Sequence, residues 1–110
     1  MVALPPAGGD ILQVEFAQGS SALTRGIESK LGALAAQLKT TDARLQLKAF
    51  ASTNGDNISR ARRLSLSRAL AVRSFLIEQG LRSTRIDVRA LGIARDGGAA
   101  DRVDVVLLSP

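Results

Sequence analysis

Arginine is the residue type with most chemistry to offer in this chain. Arg60, Arg62, Arg63 and Arg68 cluster in one short stretch. A guanidinium keeps its proton in a protein, and its fork of donors matches a carboxylate or a phosphate. Other reactive types are missing: the 110 residues include no His, Cys, Trp or Tyr. That excludes a zinc-finger framework, a Cys nucleophile, a Ser-His-Asp triad and disulfides. The acids stand singly along strands and turns, with no pair set for acid–base work. No Gly-rich loop precedes a helix at phosphate-loop spacing. These observations lead us to expect a binding module: not an enzyme, with no cofactor and no metal.

Fifteen Lys and Arg against 10 Asp and Glu leave a net charge of +5, which favours anionic partners. Three Phe are the only aromatic residues, too few for a base-stacking platform, so no specific nucleic acid is expected. The length suits one domain with one core, and 45% hydrophobic against 23% charged residues is a globular balance. No apolar run reaches membrane-span length, and the N-terminus lacks a signal-peptide pattern. Met1 to Gly9 (MVALPPAGG) reads as a flexible linker or terminus, leaving 10–110 as the domain. Its abrupt start suggests a module of a longer protein, with membrane association only through parts outside this sequence.

Periodicity supplies the elements that must position the arginines. Ile11 to Phe16 alternates as a strand, and Ser20 or Ser21 is a plausible cap for a helix carrying Leu23, Ile27, Leu31, Leu34 and Leu38. Leu45, Leu47, Ala49 and Ala51 share a face of a second strand. A turn from Ser52 to Asn57 with an Asn-Gly pair follows, then a long helix from Ile58 to Gln79 stopped by Gly80. Ile86, Val88 and Ala90 predict a third strand, and Val103 to Leu108 a fourth. The order is β-α-β-α-β-β. We expect an α+β two-layer sandwich, with two helices on one face of a mixed four-stranded sheet.

At about 100° per residue, the apolar face of the second helix carries Ile58, Ala61, Ser65, Ala69, Val72 and Leu76. A narrower stripe of Leu66, Leu70 and Ile77 is expected against the first helix. Arg60, Arg62, Arg63 and Arg73 project towards water. Arg68 falls inside the apolar arc, between Phe75 and Ala61. Burying it unpaired costs several kcal/mol, so it must meet an anionic or carbonyl partner at the core edge or snorkel outwards. That partner is either an internal acid, such as Asp56, Asp87 or Asp104, or the carboxylate of a ligand.

The run Leu64-Ser65-x-x-Arg68-Ala69, with Ala71-Val72, Phe75-Leu76, Gly80-Leu81 and Arg85-Ile86 after it, resembles the OmpA-like C-terminal peptidoglycan-binding domain. That family includes the Pal lipoproteins and the flagellar stator protein MotB. Phe16-x-x-Gly19-Ser20-x-x-Leu23, Leu91-Gly92 and Arg102-Val103-Asp104-Val105 extend the likeness over about residues 11 to 108. The resemblance implies non-covalent binding of the peptidoglycan stem peptide, typically its diaminopimelate residue. In the family an Arg at the position of Arg68 pairs with the diaminopimelate carboxylate, and an Asp in a preceding turn takes its ammonium. Here Asn54 stands at the Asp position, offering a hydrogen bond but no charge, which should weaken binding by about tenfold or more. Asp56 could supply the missing carboxylate, or act as an Asx turn or helix cap.

The expected site is therefore Arg68, with Ser52, Thr53, Asn54 and Asp56 lining the opposite wall and Leu64 and Arg102 beside it. Two functions compete. One is a periplasmic tether holding an envelope protein to peptidoglycan. The other is a degenerate domain of the same fold, serving as a protein-interaction or self-association scaffold without wall binding.

Overall fold

Alternating apolar residues build β1 (Asp10–Glu15), β2 (Arg44–Phe50), β3 (Ile86–Gly92) and β4 (Arg102–Leu108). Between them lie α1 (Arg25–Leu38) and α2 (Ile58–Glu78), with one 3₁₀ turn at Ser83–Arg85. The structure is a computed structural model that describes residues 10–53, 55 and 57–108. The expected linker over 1–9, Asn54 and Asp56 lie outside the described residues.

The sheet runs β1-β4-β2-β3. β4 is antiparallel to both β1 and β2, while β2 and β3 are parallel. β1 and β2 therefore run the same way with β4 slotted between them. The crossovers β1-α1-β2 and β2-α2-β3 step across the sheet in one direction. Right-handed connections made in one direction put both helices on the same face. Val14, Leu45, Leu47, Ala49, Val103, Val105 and Leu107 meet Ile27, Leu31, Leu34, Leu38, Ala69, Val72 and Leu76 in a single core. The expected two-layer α+β architecture is the observed one.

Local chemistry sets the helix ends. Thr24, not Ser20 or Ser21, caps α1, its hydroxyl accepting the Ile27 N–H at 3.2 Å. The Ser20 hydroxyl instead accepts the Ala22 N–H, a local turn that delays the helix. Asn57 caps α2 by accepting the Arg60 N–H at 3.0 Å. Gly80, at φ +107°, closes α2: its N–H reaches Ile77 O, and the Leu81 N–H reaches Leu76 O. That paired closure uses the left-handed residue glycine provides.

Two expectations about α2 fail. Ile58, placed on the main apolar face, is 54% exposed, because it opens the helix and borders a shallow cleft with Leu91 and Ile93. Leu66 and Leu70 are 43% and 44% exposed instead of packing on α1. The helices lie over different parts of the sheet, α2 resting mainly on β3 and β2, so that side of α2 meets water. Ile77, further along, does pack against the core.

Candidate functional site

Arg68 projects from the middle of α2 into the place where three connections converge. Its guanidinium is 0% exposed. Nε donates to Ser20 O at 2.7 Å, and Nη2 donates to Ala17 O at 3.0 Å. Nη1 donates to Phe50 O at 2.9 Å and to the Asp101 carboxylate at 2.7 Å. The Phe16 ring lies 5.2 Å away, close enough for a cation–π contact. The β1–α1 loop, the end of β2 and the β3–β4 loop are thus tied to one cation. The burial read from the helical wheel is correct, and a carboxylate with three carbonyls satisfies it.

The internal acid is Asp101, not one of the three expected from sequence. Asp87 pairs with Arg44 on the surface and Asp104 with Arg102, while Asp56 lies outside the described residues. Asp101 ends the loop before β4, where no periodicity announces its direction. It also accepts the Ser52 N–H at 2.9 Å and the Ser52 hydroxyl at 2.6 Å. Burial opposes its charge, but the Ser52 donors and the Arg68 guanidinium outweigh this and hold its carboxyl below the usual range.

α2 is held down nearby through Ser65, whose hydroxyl accepts the Gly92 N–H at 3.1 Å and donates to Arg62 O at 2.9 Å. Gly92 sits at φ +70°, and a Cβ there would come within 3.2 Å of the Arg62 side chain. Its carbonyl accepts the Ala51 N–H at 2.8 Å, joining the ends of β2 and β3.

Beside this knot opens a cleft of about 590 Å³. Gln18, Gly19, Ser52 and Thr53 form one wall; Arg60, Arg63, Leu64 and Ser67 form the other. The helical wall follows the spacing i, i+3, i+4, i+7, which is one face of α2. The structure thus brings Ser52, Thr53 and Leu64 together in one cleft, with Arg68 buried behind them. The sequence reading missed Gln18, Gly19, Arg60, Arg63 and Ser67 as wall residues. For Arg60, Arg63 and Ser67 the spacing along α2 was the available signal; nothing in the sequence pointed to Gln18 and Gly19.

Arg102 lies elsewhere. Alternation along β4 sends Asp101 and Val103 towards the helices, and Arg102 and Asp104 to the opposite face of the sheet. There Arg102 donates to Asp104, Asp96 and Ala99 O, and stacks 4.1 Å from the centroid of the Phe50 ring. Burial works against its charge, but Asp104 and Asp96 more than compensate and raise its pKa further. The Arg102 hydrogen bond, aided by the Gly98 N–H, holds Asp96 below the usual carboxylate range. Arg102 belongs to a structural cluster and does not line the cleft.

The arrangement can bind an anion. Among the described residues no carboxylate lines the cleft, and neither Arg60 nor Arg63 forms an ion pair. Among those residues there is also no group of three or more His, Cys, Asp and Glu able to hold a metal ion, and no helix long and apolar enough to cross a membrane.

Comparison with known proteins supports the same architecture. The family model described as the OmpA family matches residues 15–104. The OmpA-like domain of FopA1 from Francisella tularensis subsp. tularensis SCHU S4 superposes with a TM-score of 0.76 at 20% identity, covering 87% of this chain and 70% of that one. The peptidoglycan-associated lipoprotein from Burkholderia pseudomallei gives 0.74 at 20% identity, covering 86% and 88%. The periplasmic domain of Helicobacter pylori MotB gives 0.72 at 14% identity, covering 99% and 86%. At these identities the likeness is one of fold. None of the curated proteins matches the chain in sequence.

Proposed function

The chain belongs to the OmpA family, and on that premise we propose that it binds peptidoglycan non-covalently through a carboxylate of the stem peptide. Diaminopimelate is the stem residue the family resemblance points to. In this reading the domain tethers an envelope protein to the cell wall from the periplasmic side. One observation carries the reading: the open, polar, cationic cleft between Ser52–Thr53 and the Arg60–Ser67 face of α2. Two proteins of the same fold support it, one a peptidoglycan-associated lipoprotein and the other a periplasmic domain.

The test is co-sedimentation with purified peptidoglycan sacculi. The wild-type chain is expected in the pellet, and Ser67→Trp, which fills the cleft from an exposed position, in the supernatant. A wild-type chain that stays in solution would overturn the reading.

A second reading, a scaffold without wall binding, is favoured by the Arg68–Asp101 pair, because the chain itself supplies the carboxylate a ligand would bring. It predicts that sacculi leave the wild-type chain in solution and that the chain self-associates at micromolar concentrations in analytical ultracentrifugation.

A further inference from the structure

We infer that Arg60 and Arg63 receive the carboxylate in this cleft, and that Arg68 is a positioning residue that never touches the ligand. The inference rests on the peptidoglycan reading for the identity of the ligand, but the receptor assignment stands on geometry alone. A ligand reaching for Arg68 would have to displace Asp101 from a 2.7 Å ion pair. It would replace one carboxylate by another at a fully buried guanidinium and gain no new charge pairing. It would also strand an acid whose two oxygens hold the Ser52 N–H and hydroxyl, and so dismantle the wall it needs.

Arg60 and Arg63 carry no such cost. Both are exposed, both line the cleft, and neither has an ion pair among the described residues. Three residues apart on α2, they are neighbours on the helix surface, so two guanidinium forks can bracket one carboxylate or take two. Leu64, beside them on the same face, offers an apolar contact for methylenes. The ligand class this favours is a peptide bearing a carboxylate on a short aliphatic arm. Solvent-exposed receptors are screened by salt, whereas a buried one would be screened much less.

The experiment is an amide-shift titration of the 110-residue chain with a muramyl tripeptide ending in diaminopimelate. We expect shifts at Ser52, Thr53 and Arg60 to Ser67. The double variant Arg60→Gln/Arg63→Gln should bind about tenfold or more weaker, and wild-type affinity should fall several-fold between about 50 and about 300 mM sodium chloride. Absence of wild-type binding, unchanged binding by the double variant, or tighter binding by Asp101→Asn would each overturn the assignment. Sacculi separate the two ideas. If the tripeptide binds through Arg60 and Arg63 while sacculi leave the chain in solution, the wall reading falls and the receptor assignment stands. If sacculi retain wild type and double variant equally, the assignment falls and the wall reading stands.

Discussion

Arg68 and Arg102 are two buried guanidinium groups on opposite faces of one sheet, each stacked near a Phe ring and each clasped by acid. Their settings differ in what lies next to them. Arg68 uses one carboxylate and three backbone carbonyls, and those carbonyls belong to the ends of loops that frame a cleft. Arg102 uses two carboxylates and one carbonyl from its own strand and the loop just before it, and it lines neither of the two clefts described above. A buried arginine is thus not in itself a binding residue. On the receptor assignment inferred above, proximity to a cavity does not make it one either, when four of its five N–H donors are already engaged inside the chain.

The sharpest break of this comparison is Arg68→Met. Removing the cation strands Asp101, whose side chain is only 17% exposed, together with three carbonyls. We expect a loss of about 3–5 kcal/mol in urea unfolding, or failure to fold. Arg102→Met should cost less, about 2–3 kcal/mol, because Asp96 is 55% exposed and can rehydrate, leaving Asp104 as the stranded acid. Equal losses would mean that the two clusters are energetically equivalent.

Acid should also distinguish them. Asp101 has a depressed folded pKa, so its contribution is complete above the ordinary carboxylate value of about 3.9 and is lost as pH falls through the lower folded value. Thermal unfolding between about pH 5 and about pH 2 should therefore show a steep acid limb, flattened in Asp101→Asn. Asp96→Asn should flatten it less, since that carboxylate faces solvent. The smallest effect is expected from Phe50→Leu, which keeps an apolar side chain but removes the ring beneath Arg102. It should lower stability by about 1–2 kcal/mol, because ring and guanidinium are both buried. A loss as large as that of Arg102→Met would mean that the ring, and not the two carboxylates, holds the guanidinium in place.

Element order and the burial of Arg68 were readable in the sequence, because both follow from period: two along strands, 3.6 along α2. The partner of Arg68 was not. Asp101 sits at the end of the connection from Ile93, where turn residues set direction and no repeat exists to extrapolate. Arg102 was misplaced for a related reason: a motif position tells which residue matters but not which face of β4 it takes. Leu66 and Leu70 show the limit of the wheel, which assigns a stripe to a side of a helix without saying what lies opposite. The cleft wall was half legible. Arg60 and Arg63 stood out as solvated charges, yet only the fold brings Gln18 and Thr53 across from them.

The junction of Asp101 and Arg102 has a consequence for swapping parts between relatives. One peptide unit, about 3.8 Å from Cα to Cα, links an anchor on the helix side of the sheet to an anchor on the far side. A single extra residue after Asp101 would put both side chains on one face, either driving the cation among aliphatic side chains or turning the acid towards the face of an aromatic ring. Chimeras that exchange this connection should tolerate a cut between Ile93 and Asp96 better than a splice between 101 and 104.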